Sequence, residues 1–466
     1  MVMEQINNQS RQTRLGFHYF PDTKHFSQRD LHKWLPELQA LGASWLVLNS
    51  SINRAIPEFF INSLLAAGIE PIIRFDLPLG SYFDPNEIKP ILDAYGHWGV
   101  NGVIFYDKPN SRASWSNSGW IQQDLVEQFL EQYLPLATLA IEVGLIPIFP
   151  PLEPGGNYWD TTFLRLALES LVRREQDALL EKLTLSAYPW THQQSLNWGA
   201  GGPNRWPQAK PYNSPDGEED QRGFRIFDWY LSTVQAVLGR TCPILLLDAG
   251  IPTAPEYYFP EIDNEANHAA TNISIIKLLN GEPTQDPLDT RHMLEPIPIE
   301  VVSCNFWLLA ADSQSPFCPQ AWFGEDSIKS QLITETKTWY MAASKIIEKQ
   351  RNTHQKEHAV VQPRGIPQRP LGRSSLPQPI KHYLLLPKSE WGLAEWHLEL
   401  IRPFVKKYQP TIGFSIQEAA LSERVTVIGN SQIFPDEILD RLRHTGTIVE
   451  RISGNGTTIA TKLAER

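Results

Sequence analysis

Cysteine and methionine are scarce in this chain of 466 residues, with three of the first and four of the second. Cys242, Cys304 and Cys318 are odd in number and lack any paired metal-ligand spacing, so neither a disulfide framework nor a zinc site is expected, and Cys242 and Cys304 read as buried strand residues. Basic charge is also short. Lys and Arg total 41 against 52 Asp and Glu, a formal net charge of −11, which argues against a general binder of nucleic acid or of anionic membranes and favours a neutral partner. No stretch approaches the ~20 apolar residues of a membrane span, and the polar residues Met1 to Arg14 lack the apolar centre of a signal peptide. A cytoplasmic location without membrane insertion is the default expectation, and no cofactor or metal is implied.

Apolar residues make up 42% of the chain and charged residues 20%, the proportions of an ordinary soluble globular protein. Tryptophan is abundant, at fifteen residues. Flat amphipathic rings in that number suit either a cleft that stacks sugars or a large aromatic core. The length accommodates a barrel of about 250 residues with insertions and a further small domain.

From Leu15 to about Ile347, short apolar runs alternate with longer segments of helical period, the pattern of β/α units around a parallel sheet. The strand candidates are Leu15–Phe20, Ser44–Asn49, Pro71–Phe75, Gly102–Tyr106, Ile146–Phe149, Leu183–Ala187, Pro243–Leu247 and Val301–Leu308. Between them, Gln28–Leu41, Pro57–Ala67, Asn86–Tyr95, Gln122–Val143, Trp159–Glu181, Arg225–Leu238, Glu265–Leu279 and Ser327–Ile347 place apolar residues three and four apart. Gly42, Gly68, Gly99, Gly144 and Gly239 stand where helices stop, as left-handed C-terminal residues do. Eight such units predict a closed (β/α)8 TIM barrel.

The expected organisation is a disordered tail over 1–14, the barrel over 15–349, a Pro-, Gln- and Arg-rich linker over 350–379, and a small α/β domain over 380–466 of Rossmann or flavodoxin-like type. In that domain Lys381–Leu386, Thr411–Ile416, Arg424–Ile428 and Thr447–Ile452 read as strands, with helices near Glu395–Lys407 and Pro435–Thr445. Two connections are too long for plain loops. Pro189 to Gly223 interleaves Trp190, Trp198, Trp206 and Tyr212 with glycines and reads as a loop folded over the barrel mouth, and Ile251 to Asn264 carries Tyr257, Tyr258 and Phe259. His354 to His358 satisfies an H-x-x-E-H metal pattern, but it opens the linker without a third ligand nearby, so no metal site is assigned there. Gly199, Gly201 and Gly202 do not lie between a strand and a helix start and make no nucleotide loop.

Two apolar runs break abruptly. Gly102 to Tyr106 ends in Asp107, Lys108, Pro109 and Asn110, and Pro243 to Leu247 ends in Asp248, Ala249 and Gly250, so each reads as a buried parallel strand delivering polar groups at its C-terminal end. This spacing resembles the clan A glycoside hydrolases, whose fourth strand ends in Asn-Glu-Pro and whose seventh ends in Glu. The resemblance puts Asp107 at the family's Asn, Lys108 at its acid/base Glu, Pro109 at its Pro and Asp248 at its nucleophile. Tyr188 matches a residue near the nucleophile, and Trp307 the aromatic floor beneath the sugar. The last third of the chain, Val425 to Gly429 followed by Pro435 to Leu442 and Val449 to Gly454, resembles a bacterial cell wall binding repeat of the second type, which implies association with a cell envelope.

Both glutamates of the resembled pair are absent here. Glycoside hydrolysis needs one protonated and one ionised carboxyl group, whereas a lysine acid would need its pKa lowered by roughly three units, about 4 kcal/mol. Neighbouring carboxylates oppose such a shift, so Lys108 is expected to pair with Asp248 across the site. A degenerate or altered carbohydrate-binding barrel is the first reading. An active O-glycosidase using other carboxylates is the second, with Asp107 or Glu153 opposite Asp248 as an inverting pair. A scaffold or assembly protein with a protein partner is the third. His18, Tyr19, Arg74, Asp76, Asn110, Tyr188, Trp190, Trp198 and Trp307 are the candidate sugar-binding groups, through hydrogen bonds to hydroxyls or stacking on ring faces.

Overall fold

The structure is a computed structural model. It describes residues 13–81, 83–116, 120, 124–251, 265–323 and 330–341, and in the C-terminal part 380–386, 404–405, 407–408, 410–413, 416–419, 422–429, 434, 436–444, 447–453, 458 and 461–462. The chain divides into two compact units, 1–358 and 359–466. The proposed linker, the H-x-x-E-H segment and the aromatic excursion 252–264 lie outside the described residues.

In the first unit β1 (Leu15–His18), β2 (Trp45–Asn49), β3 (Glu70–Phe75), β4 (Gly102–Phe105), β5 (Ile146–Ile148), β6 (Leu185–Ala187), β7 (Ile244–Ala249) and β8 (Val301–Phe306) form one parallel sheet. The order is β5-β4-β3-β2-β1-β8-β7-β6. A parallel bridge between Phe149 and Leu185 joins the two ends, with Phe149 N–H donating to Thr184 O at 2.8 Å, so the sheet closes on itself. Helices α1 (Gln28–Leu41), α2 (Glu58–Ala66), α3 (Lys89–His97), α4 (Leu125–Glu142), α5 (Asp160–Arg173), α6 (Asp177–Glu181), α7 (Gly202–Arg205), α8 (Ile226–Leu238), α9 (Glu265–Leu279) and α10 (330–341) lie between and after the strands. This is a (β/α)8 TIM barrel.

Local chemistry sets the boundaries. Ser27 caps α1 in a reciprocal capping box with Asp30, and Gly42 ends it in the left-handed conformation. The single helix expected over Trp159–Glu181 is two, because Glu175 takes φ 56° and turns the chain between α5 and α6. That residue is an isolated left-handed glutamate, which no periodicity reports.

Alternation along each strand separates two apolar cores. Leu15, Phe17, Leu46, Ile73, Phe105 and Leu246 face the helix layer, while Trp45, Val47, Ile72, Ile104, Ile148, Leu245 and Leu247 fill the lumen. Tyr19 therefore points away from the mouth. It is buried among Phe20, Phe26 and Phe60 and cannot reach a ligand, against the sequence expectation. Thr13 and Arg14, placed in the tail from sequence, are hydrogen-bonded to the barrel through Gly42 O at 2.6 Å and Pro298 O at 3.0 Å.

The second unit holds β9 (Ile380–Leu385), β10 (Thr411–Gly413), α11 (Ile416–Ala419), β11 (Ser422–Ile428), α12 (Asp436–His444) and β12 (Ile448–Ile452). Its sheet is parallel in the order β10-β9-β11-β12, the order with which a flavodoxin-like sheet begins. Where Thr411–Ile416 was expected as one strand, β10 stops at Gly413 and Ile416 opens α11. Separate apolar clusters cover the two faces, one around Tyr383, Val425, Val427 and Leu439, the other around Leu384, Phe404, Ile428 and Ile452. No helix among the described residues is long and apolar enough to cross a membrane.

Candidate functional site

The C-terminal rim of the barrel gathers polar groups from five strands. Asp107 follows β4, Arg74 is the inward residue near the end of β3, Tyr188 follows β6, Asp248 lies in β7 and His18 ends β1. Tyr188 OH donates to Asp107 Oδ1 at 2.5 Å, Arg74 Nη2 stands 3.2 Å from the same oxygen and donates to Tyr188 OH at 3.3 Å, and Lys108 Nζ stands 3.7 Å from Asp107 Oδ2. The side chains of Arg74, Asp107, Lys108 and Asp248 are all only 12–15% exposed, so these charges act through a poorly solvated medium.

Asp248 reaches this cluster by an irregularity in the chain. Leu245 and Leu247 point into the lumen, so strict alternation would send residue 248 outward. Instead the β7–β8 register shifts between Leu246 and Ala249, and Asp248 adopts φ 49°. The bulge turns the carboxylate into the mouth. Tyr106 at φ 69° and Lys108 at φ 44° do the same for the end of β4. Non-glycine residues in the left-handed region cost energy and concentrate at functional sites.

His18 Nε2 lies 2.9 Å from Asp248 Oδ1 and 3.1 Å from the Asp248 amide nitrogen. One ring nitrogen directs a single in-plane bond, and that direction serves the amide N–H; the approach to the carboxylate is a close polar contact without an aligned hydrogen bond. Asp248 Oδ1 is left as a buried acceptor with no directed donor. Burial pushes the Asp248 carboxyl up, but His18, Arg74 and Lys108 outweigh it and hold it below the usual carboxylate range. Burial likewise opposes the Arg74 charge, and Tyr188, Asp107, Asp248 and Asp76 more than restore it. The Tyr188 hydroxyl, raised well above its ordinary value by burial, stays a neutral donor. Lys108, anticipated to pair with Asp248, stands against Asp107 and its charge also favours the ionised form of Asp248.

Aromatic rings wall the site. Tyr188 and Trp190 stack at 4.9 Å and 16°, with Lys108 Nζ 5.9 Å from both ring centres. Trp307, 5.4 Å from the His18 ring, donates from Nε1 to Gln320 Oε1 at 2.6 Å. Asp76 is exposed beyond the end of β3. Trp198 packs within its own loop, against Gly223 and with Nε1 3.3 Å from Asp220 Oδ1, so its ring belongs to the loop rather than to the charged cluster.

Asn110 and Glu153 take parts that the sequence did not suggest. Asn110 is fully buried and spends its amide on backbone: Nδ2 donates to Glu153 O and Tyr158 O, each at 2.9 Å, and Oδ1 accepts from Glu153 N at 2.8 Å. It staples the β4 loop to the β5 loop, with both amide hydrogens spent and the side chain buried away from a sugar hydroxyl. Glu153 is tied here through its main chain. Asn110→Ala would leave three part-buried backbone groups without their partner, and we expect a loss of about 2 kcal/mol in urea unfolding, with ligand binding weakened only through loop order.

Two residues missing from the sequence reading complete the wall. His192 continues a period-two series from Tyr188 and Trp190, a signal that was present but runs past the strand end; burial, aided by Arg222 and opposed by Asp220, lowers its imidazole to about 4. Gln320 carries no local signal, since only the return of the chain after β8 brings it to Trp307.

No family model matches the chain, and no curated protein matches it. Among solved structures it is similar to a catalytic module of the pneumococcal exo-β-D-N-acetylglucosaminidase StrH, at 13% identity over 72% of this chain and 85% of that one, with a TM-score of 0.36. It is similar to an endo-β-1,3-glucanase from Sorangium cellulosum, at 9% identity over 69% and 97% with a TM-score of 0.35, and to an L-ribulose 3-epimerase, at 12% over 75% and 100% with a TM-score of 0.36.

Proposed function

We propose that the barrel mouth binds a neutral oligosaccharide and that conventional glycoside hydrolysis has been lost from it. The observation that carries this reading is the state of the two carboxylates. Hydrolysis by a carboxyl pair needs one member protonated. Asp248 is held ionised by His18, Arg74 and Lys108 and is no ready proton donor, while Asp107 is engaged as an acceptor from Tyr188 beside Arg74 and Lys108. What remains is a rim of fixed donors and acceptors flanked by Trp190 and Trp307, chemistry that suits hydroxyls and pyranose faces.

Wild-type protein is expected to change its Trp fluorescence with at least one glycan of a broad panel while releasing no aglycone from aryl glycosides. Asp248→Asn should weaken that binding about tenfold, since a charge-assisted hydrogen bond to a hydroxyl becomes a neutral one. A panel without a single binder would sink the reading.

The strained, ionised Asp248 supports a second one, an active glycosidase in which that carboxylate attacks the anomeric carbon. Incubation with 2-deoxy-2-fluoro aryl glycosides would then add one glycosyl mass at Asp248. Unmodified protein across the panel, with turnover unchanged in Asp248→Asn, removes this alternative.

A further inference from the structure

Rings continue outward from the mouth along one side. Trp190 lies 6.3 Å from His192, the Arg222 guanidinium lies 5.9 Å from the Trp159 ring, and Trp159 lies 4.9 Å from Tyr212. Arg222 and His192 are near enough to affect one another's charge. Trp159 precedes α5 at the C-terminal end of β5, and Tyr212 belongs to the loop after β6, so both lie on the rim that bears Lys108.

Tyr212 is 67% exposed, more than any other large hydrophobic side chain among the described residues. Such a ring would ordinarily turn freely in water. Here two independent devices hold it. Its hydroxyl accepts the Trp159 N–H at 3.0 Å, and its backbone, at φ 63°, sits in a tight turn closed by Lys210 N to Asn213 O at 2.9 Å and Asn213 N to Lys210 O at 3.0 Å. With the polar end used as an anchor, the apolar face is presented to solvent in one orientation, which lowers the entropy lost when a flat ligand stacks on it. Beside it, Arg222 is paired with Asp220 through Nε at 3.0 Å and through Nη2, so the local charge cancels while donors and acceptors remain. That combination suits an uncharged, hydroxyl-rich chain better than an anionic one.

We propose that Tyr212 is the outer platform of an extended track, and that the ligand is a linear neutral oligosaccharide longer than two residues, entering over the β5 and β6 loops with its inner end at Lys108. This rests on the carbohydrate reading of the mouth. Calorimetry on the full chain with the two- and six-residue members of β-1,3-gluco, β-1,4-gluco, β-1,4-manno and chito series tests it.

The six-residue member of the recognised series should bind about tenfold tighter than its disaccharide. Tyr212→Ala should erase that advantage and leave the disaccharide unchanged, while Tyr212→Phe, which keeps the ring but loses the anchor, should fall between. Length-independent binding by the wild type overturns the track alone and leaves the mouth standing. So does a Tyr212→Ala variant weakened equally toward both lengths, or toward neither. Silence toward every series overturns the carbohydrate reading and the track together.

Discussion

Arg74→Met should destabilise the barrel unit by about 2–4 kcal/mol, because it strips the guanidinium from two poorly solvated carboxylates and leaves only the Lys108 ammonium to offset them. Arg74 Nη2 is 3.2 Å from Asp107 Oδ1 and 3.3 Å from Tyr188 OH, and its charge also helps to hold Asp248 ionised. Adding Asp107→Asn to Arg74→Met removes the stranded charge and should recover more than half of the loss, a coupling that a double-mutant cycle in urea measures directly. The single variant should also raise the apparent pKa of Asp248, since one of the groups that favour its ionised form is gone. A loss under 1 kcal/mol, or a double variant no better than the single one, would show that Arg74 is a solvated rim residue and that the mouth is not an electrostatic unit.

The opposite end of the lumen carries a second large effect. Glu70 opens β3, and since Ile72 and Arg74 point inward, alternation turns it inward at the floor of the barrel. It is 7% exposed and accepts from Asn101 Nδ2 at 2.8 Å. Burial pushes its carboxyl up to about 7, against the lowering effect of the Asn101 hydrogen bonds. In the unfolded chain the same group titrates near its ordinary value of 4.5. The folded protein therefore holds a proton that the unfolded chain releases, and stability is full below about pH 4.5, falls as pH rises, and is lowest above about pH 7. The difference amounts to roughly 3 kcal/mol. Glu70→Gln cannot ionise, so we expect it to match the wild type at pH 4.5 and to exceed it by about that amount at pH 8, read from the barrel transition in calorimetry. Equal pH dependence in the two proteins would mean that water reaches the floor of the lumen.

The barrel was readable from the chain because buried parallel strands and amphipathic helices impose their periods on the sequence. All eight strand positions and most of the helices between them come from apolar spacing, and Gln28–Leu41 agrees with the structure at both ends. The rim on which strand-end polar groups gather was readable too, since a strand that runs apolar and then breaks into charge marks its own C-terminal end. Period-two alternation held a further message. With His18 facing in, Tyr19 must face out, and Tyr188, Trp190 and His192 must share a side.

Other features have no periodic signature. Asp248 faces the mouth only because a bulge in β7 and a left-handed backbone override the alternation that places Leu247 inward. Asn110 looks like a ligand-binding amide until the β5 loop arrives beside it and consumes every polar atom it has. Tyr212 becomes a fixed platform only when Trp159, 53 residues earlier, supplies the N–H that anchors it.

Local period and composition, acting over a few residues at a time, were thus sufficient for the kind of fold, its element order and the rim on which polar groups collect. Which carboxylate stays ionised, which amide is spent on backbone and which ring is held open to solvent depend on distances between segments far apart in the chain. Those distances set both the burial and the charge around each group, and neither quantity exists until the barrel has closed.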